Sequence, residues 1–149
     1  MAPPQRRSLD IRPKAQADIE RLALDDARLP GRINTLLGRL VSADLTGEAL
    51  SEMPRYGNLT DCYKIYFGVP GQPQNTHRIV YRLRAGGVVD VIEVVAVEEK
   101  DGGYVYLTVA DRLGRLPAES RGALMSEHQK RIARRGAQRG RDGKPTQFT

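Results

Sequence analysis

A chain of 149 residues is long enough for one self-standing core, and with 40% hydrophobic residues it reads as a single globular domain. No apolar run approaches the roughly 20 residues of a membrane span, no apolar segment follows the basic residues of 1–7 as a secretory signal would require, and the lone Cys62 excludes an internal disulfide framework. A cytoplasmic protein without a membrane partner is therefore expected, and its net charge of +6 resides in residues 120–149, where eight Lys or Arg meet two acids, while residues 1–119 carry sixteen of each sign.

Ser8 to Arg12 reads as a short first strand, stopped by Pro13. Ala15, Ile19, Leu22 and Ala23 then fall at helical spacing on one side. Pro30-Gly31 interrupts that helix, and Ile33, Leu36, Leu37, Leu40 and Val41 repeat at three and four to give the second arm of a helical hairpin. Thr46 to Asn58 contains Gly47, Pro54 and Gly57 and is expected to be loop, with at most a helical turn. Strand patterns follow. Tyr63, Ile65 and Phe67 alternate with Lys64 and Tyr66, and Ile79, Tyr81 and Leu83 alternate with Arg78, Val80 and Arg82. Residues 68–75 form a connection long enough to be mobile. Ala85-Gly86-Gly87 is a hairpin signal, and Val88 to Val97, apolar on both faces apart from Asp90 and Glu93, suits a central strand. Tyr104 to Val109 consists of strand formers, yet Val105, Val109 and Leu113 recur every four residues, so the segment is read as a helix.

The fold class is therefore α+β: a helical hairpin packed on a small antiparallel sheet, with a short C-terminal helix and a basic tail. Residues 1–7 are an N-terminal tail, 8–117 the domain, and 118–149 a flexible basic extension. Within that extension 121–135 is expected to become helical on binding, and the last dozen residues are expected to be disordered.

Lys64, Tyr66, Arg78 and Arg82 share one face of the expected sheet. Cations and phenols there suit a phosphate diester; a solvated sheet face is the other reading. Arg131, Arg134, Arg135, Arg139 and Arg141 could contact nucleic acid through phosphates, or could simply be a solvated end. One Cys and two distant His cannot build a zinc site, and no Walker-type loop is present, so neither a metal nor a cofactor is expected. His77 and His128 are given no role.

The order strand, helix, helix, three antiparallel strands, short helix resembles the RelE/ParE superfamily of bacterial toxins over roughly residues 8–117. The runs Asp61-Cys62-Tyr63-Lys64-Ile65-Tyr66-Phe67 and His77-Arg78-Ile79-Val80-Tyr81-Arg82-Leu83 carry the resemblance, with Lys100, Tyr106 and Arg112-Leu113 after them. The RelE-like branch is the nearest. The resemblance implies the toxin of a type II toxin–antitoxin system, a metal-independent, ribosome-dependent endoribonuclease held in check by a cognate antitoxin. In that chemistry the 2′-hydroxyl of messenger RNA attacks the adjacent phosphate and the 5′-oxygen leaves. The resemblance gives Lys64 the place of a strand lysine able to act as a base if neighbouring cations depress its pKa. It gives Arg78 the place of the arginine that holds the phosphate, Lys100 that of the basic residue near the leaving group, and Tyr106 that of the tyrosine that stacks on or orients the nucleotide. Tyr66 stands where some members carry a second lysine, and with Arg82 it is assigned to RNA binding. Two alternatives stay open: a ParE-like inhibitor of DNA gyrase, and a catalytically inactive RelE-fold binding protein that uses its tail on nucleic acid. The chain departs from the pattern in its neutral domain and in the acids Glu98, Glu99 and Asp101 around Lys100.

Overall fold

The computed structural model describes residues 7–52, 54–87, 89–100 and 103–142, with side chains through residue 137. Strand β1 (Ser8–Ile11) is followed by α1 (Pro13–Asp25), α2 (Leu29–Val41), β2 (Glu48–Ala49), β3 (Cys62–Phe67), β4 (His77–Arg84), β5 (Val91–Glu99), α3 (Tyr104–Arg112) and α4 (Arg121–Asp142). Both hairpin helices begin with proline in the first turn, where its missing N–H costs nothing.

The strands form one sheet in the order β1-β5-β4-β3-β2. The sheet is mixed rather than wholly antiparallel, because β1 runs parallel to β5. β2 lies within the stretch expected to be loop and pairs with β3 at Lys64 and Tyr63. The backbone N–H of Gly47 donates to the Tyr81 hydroxyl at 2.9 Å and pins this short edge strand. A side chain at Gly47 would collide with the Lys64 carbonyl, so a glycine is needed at this close approach. The connection expected to be mobile is tied by one side chain: the Gln74 amide accepts from Gly68 N–H at 3.1 Å and donates to the carbonyls of Val69 (2.9 Å) and Gln72 (2.8 Å).

The sheet is covered on both faces. The hairpin helices pack on Ile65, Phe67, Ile79, Tyr81, Ile92, Val94 and Val97. On the other face α3 packs Val105, Tyr106, Val109 and Ala110 against Cys62, Val80, Val95 and Ala96. A register shift opposite Val80/Tyr81 explains why Val94 and Val97 both reach the hairpin face while Val95 and Ala96 reach α3. Strict alternation along the sequence cannot produce that switch.

β1 pairs with β5 only as far as Val94, so the last residues of β5 present an open edge. Buried Asp18 of α1 accepts from the Val97 N–H at 3.0 Å, and Arg112 of α3 donates to the Val95 carbonyl at 2.9 Å. Arg112 also donates to both Asp18 oxygens at 2.6 and 2.9 Å, and Arg21 bridges Asp18 (3.0 Å) and Glu98 (2.6 Å). Side chains thus satisfy the edge that no further strand among the described residues covers.

The basic extension, expected to be flexible, is helical over 121–142. Leu124 is buried with Tyr104 and Leu107, the Arg131 guanidinium lies 4.0 Å from the Tyr104 ring centroid, and Arg135 bonds to Asp25 at 2.8 and 2.9 Å. Acids and a ring on the domain surface give these cations intramolecular partners. Among the described residues no helix is long and apolar enough to cross a membrane.

Candidate active site

Side-by-side pairing of β3 and β4 sets Tyr66 opposite Arg78 and Lys64 opposite Val80. Partners in register point to the same face, so Lys64, Tyr66 and Arg78 emerge together. Lys100 follows β5 and is fixed by its N–H, which donates to the Thr76 carbonyl at 2.8 Å. Gly103 starts α3 with φ of +81° and lies directly against the Tyr56 hydroxyl, so a side chain there would be both strained and obstructed. That turn brings Tyr106 back over β4.

The result is one cluster. The Arg78 guanidinium sits between two phenol rings, 5.1 Å from the Tyr66 centroid and 5.0 Å from that of Tyr106. The Lys64 ammonium lies 5.1 Å from the Tyr66 centroid and that of Lys100 lies 5.6 Å away. Lys64, Arg78, Lys100 and Tyr106, nominated from the sequence, are therefore gathered in space around Tyr66. Arg78 is only 8% exposed, and its Nε has no hydrogen-bond partner among the described residues. A buried, charged donor without an acceptor is costly unless something completes it. Such a set can bind an anion with tetrahedral oxygens and can stabilise negative charge that grows on it. Tyr56, which packs on Tyr106 at 5.5 Å between centroids, was not nominated from the sequence; it lies in a loop with no periodicity to mark it.

The electrostatics bear on one expected role. A lysine base needs a depressed pKa, but Lys64 is pushed up, chiefly by its hydrogen bond to the Tyr66 hydroxyl. Tyr66 moves the other way. Lys64 holds its hydroxyl below the usual phenol range through that bond, and the charges of Arg78, Lys64 and Lys100 act in the same sense.

Arg82 does not join the cluster. It lies towards the other end of the face, opposite Cys62, and donates to Glu93 at 2.8 and 3.1 Å. Arg84 also contacts Glu93 at 2.7 Å, so this buried carboxylate organises a structural network. The acids around Lys100 are also largely accounted for: Glu98 is 2% exposed and bonded to Arg21, Glu99 faces Arg135 at 3.7 Å, and Asp101 lies outside the described residues. Burial and the nearby Asp18 carboxylate raise Glu98 to about 7, which further reduces its negative charge beside Arg78. Of the cations nominated for nucleic-acid contact, Arg131 stacks on Tyr104, Arg135 pairs with Asp25, Arg134 is exposed, and the side chains of Arg139 and Arg141 lie outside those described. Cys62 is buried, and burial pushes its thiol up to about 12. A separate cavity of about 370 Å³ opens between α1, α3 and α4, lined by Lys14, Tyr104, Leu124 and His128 among others, away from the cluster.

No protein-family model matches the chain, and no curated protein matches it. Solved structures do. A mutant of the Escherichia coli toxin RelE in the free state is 24% identical, with 73% of this chain and 99% of that one covered and a TM-score of 0.50. The isolated E. coli RelE toxin is 23% identical over 72% of this chain and 98% of that one, with a TM-score of 0.44. A YoeB/ParE toxin from Agrobacterium tumefaciens is 20% identical over 63% of this chain and 99% of that one, with a TM-score of 0.45. The chain has the α+β fold of the RelE toxin.

Proposed function

We propose that this chain is the toxin of a type II toxin–antitoxin pair and that it cleaves messenger RNA on the ribosome without a metal. The observation that carries this reading is the unpartnered Arg78 Nε between Tyr66 and Tyr106, with Lys64 and Lys100 beside it. Arg78 holds the scissile phosphate and meets the charge that develops as the 2′-oxygen adds. Lys64 and Lys100 supply positive potential on either side. Tyr106 holds Arg78 and borders the nucleotide. Residues 8–117 carry this chemistry, the cognate antitoxin covers the cluster in the resting cell, and the compartment is the cytoplasm.

Expression in a bacterial host should arrest growth, and primer extension should map cuts within translated messenger RNA. Lys64→Ala and Arg78→Ala should relieve the arrest. Removal of one group that stabilises transition-state charge typically costs on the order of 10²–10³ in rate. Intact messenger RNA together with failed supercoiling by DNA gyrase would replace this function with gyrase inhibition.

A further inference from the structure

We propose that Tyr66, rather than Lys64, accepts the 2′-hydroxyl proton in this cleavage, an inference that rests on the nuclease reading above. Three cations surround the Tyr66 ring: Lys64 Nζ at 5.1 Å, Arg78 Cζ at 5.1 Å and Lys100 Nζ at 5.6 Å from its centroid. They come from three separate parts of the chain, β3, β4 and the turn after β5. Attraction to a neutral ring can hold each cation, and a phenolate at the centre of the set accounts for all three at once, since each cation favours the charged form. Access separates the two phenols that flank Arg78. Tyr106 is 8% exposed and packs against Tyr56, whereas Tyr66 is only partly buried at the open end of β3. Tyr66 is thus the phenol that a sugar hydroxyl can reach.

The protonation preferences agree. The Tyr66 hydroxyl is lowered, first by its hydrogen bond to Lys64, and Lys64 is raised by the same contact. Both shifts make Tyr66 the easier of the two groups to deprotonate. The groups around Tyr66 are Lys64 on its own strand, Arg78 on β4, Lys100 after β5 and Tyr106 on α3.

The step balances without a co-reactant beyond water. The Tyr66 phenolate takes the proton of the 2′-hydroxyl as the O2′–P bond forms. The P–O5′ bond breaks, and its electron pair leaves with the 5′-oxygen, which takes a proton from water. The hydroxide so formed removes the proton from Tyr66 and restores the phenolate. Lys64, Arg78 and Lys100 remain charged throughout. The products are a 2′,3′-cyclic phosphate and a 5′-hydroxyl.

Two readouts test this. Phenolate absorbance is titrated in the full chain and in Tyr66→Phe; the difference isolates Tyr66, which should ionise below the usual phenol value of about 10 and should move up in Lys64→Met. Single-turnover cleavage of ribosome-bound messenger RNA is then measured across pH. At saturating protein, Tyr66→Phe should lose about 10²–10⁴-fold in single-turnover rate. A fluorinated, more acidic tyrosine placed at position 66 should shift the rising limb of the pH profile to lower pH. Tyr66 ionising at or above the ordinary value, Tyr66→Phe cleaving at the full rate, or a pH profile indifferent to fluorination would each overturn the proposal. If the unaltered protein leaves messenger RNA intact at every pH while Tyr66 still titrates low, the nuclease reading fails and the base role falls with it; the absorbance arm tells these failures apart.

Discussion

Asp18 of α1 and Arg112 of α3 meet at 2.6 and 2.9 Å across the open end of β5, the one joined to the Val97 N–H and the other to the Val95 carbonyl. This pair links helices on opposite faces of the sheet through its uncovered edge. It also fixes the strand that leads into Lys100 and the helix that carries Tyr106, so the geometry of the cluster depends on it indirectly.

Asp18 is fully buried, and its removal would leave the Val97 N–H without its acceptor and Arg112 without its carboxylate. Asp18→Ala should cost about 3–5 kcal/mol in urea unfolding, as expected when one partner of a buried ion pair is deleted. The double variant with Arg112→Ala should cost less than the two single losses added together. Strict additivity would show that the pair is not coupled.

Arg78→Lys keeps the charge between the two rings and loses the planar fork. Cleavage should fall by on the order of 10²–10³ while the thermal midpoint changes little. A lysine that supports the full rate would mean that charge alone suffices there.

Arg82 is assigned to structure rather than to RNA. Arg82→Ala should leave cleavage within about twofold and destabilise by about 1–3 kcal/mol, because buried Glu93 loses two of its hydrogen bonds. Unfolding midpoints and cleavage rates measured on the same preparation decide between the two roles; a large rate loss with no loss of stability would return Arg82 to the RNA-binding set.

Glu98 should impose a falling stability as pH rises. Its pKa is raised from 4.5 to about 7 in the folded chain, so within that window the native state holds more protons than the unfolded state. Stability from this group is therefore full below about 4.5 and is lost as pH climbs through about 7. Glu98→Gln should remove that slope in urea unfolding series across pH, and parallel curves for the two proteins would contradict the assignment.

Much of this was legible in the sequence where local rules dominate. Pro13 and Pro30 marked the helix starts, and strand parity placed Lys64, Tyr66 and Arg78 on one face because pairing of β3 with β4 has no bulge. What escaped was set by distant contacts. The register shift opposite Val80/Tyr81 redirects β5, and β2 exists because the Gly47 N–H finds the Tyr81 hydroxyl. Parity also grouped Arg82 with the cluster, but it cannot report that Glu93 captures that side chain. The acids at 98 and 99 read as a departure from the pattern, yet Arg21 and Arg135 arrive from other helices to meet them. The order of α4 depends likewise on Tyr104, Leu107 and Asp25, which no pattern within the extension reveals.

The central claim is that the cluster around Arg78 breaks a phosphodiester by internal attack. The most direct measurement is end analysis of messenger RNA bound to ribosomes and treated with the purified protein, beside a transcript carrying a single 2′-deoxy nucleotide at the cut site. The expected result is a 2′,3′-cyclic phosphate with a 5′-hydroxyl on the normal transcript, and no cleavage at the deoxy position. Cleavage that persists at the 2′-deoxy nucleotide, fragments with 5′-phosphates, or intact messenger RNA would contradict it.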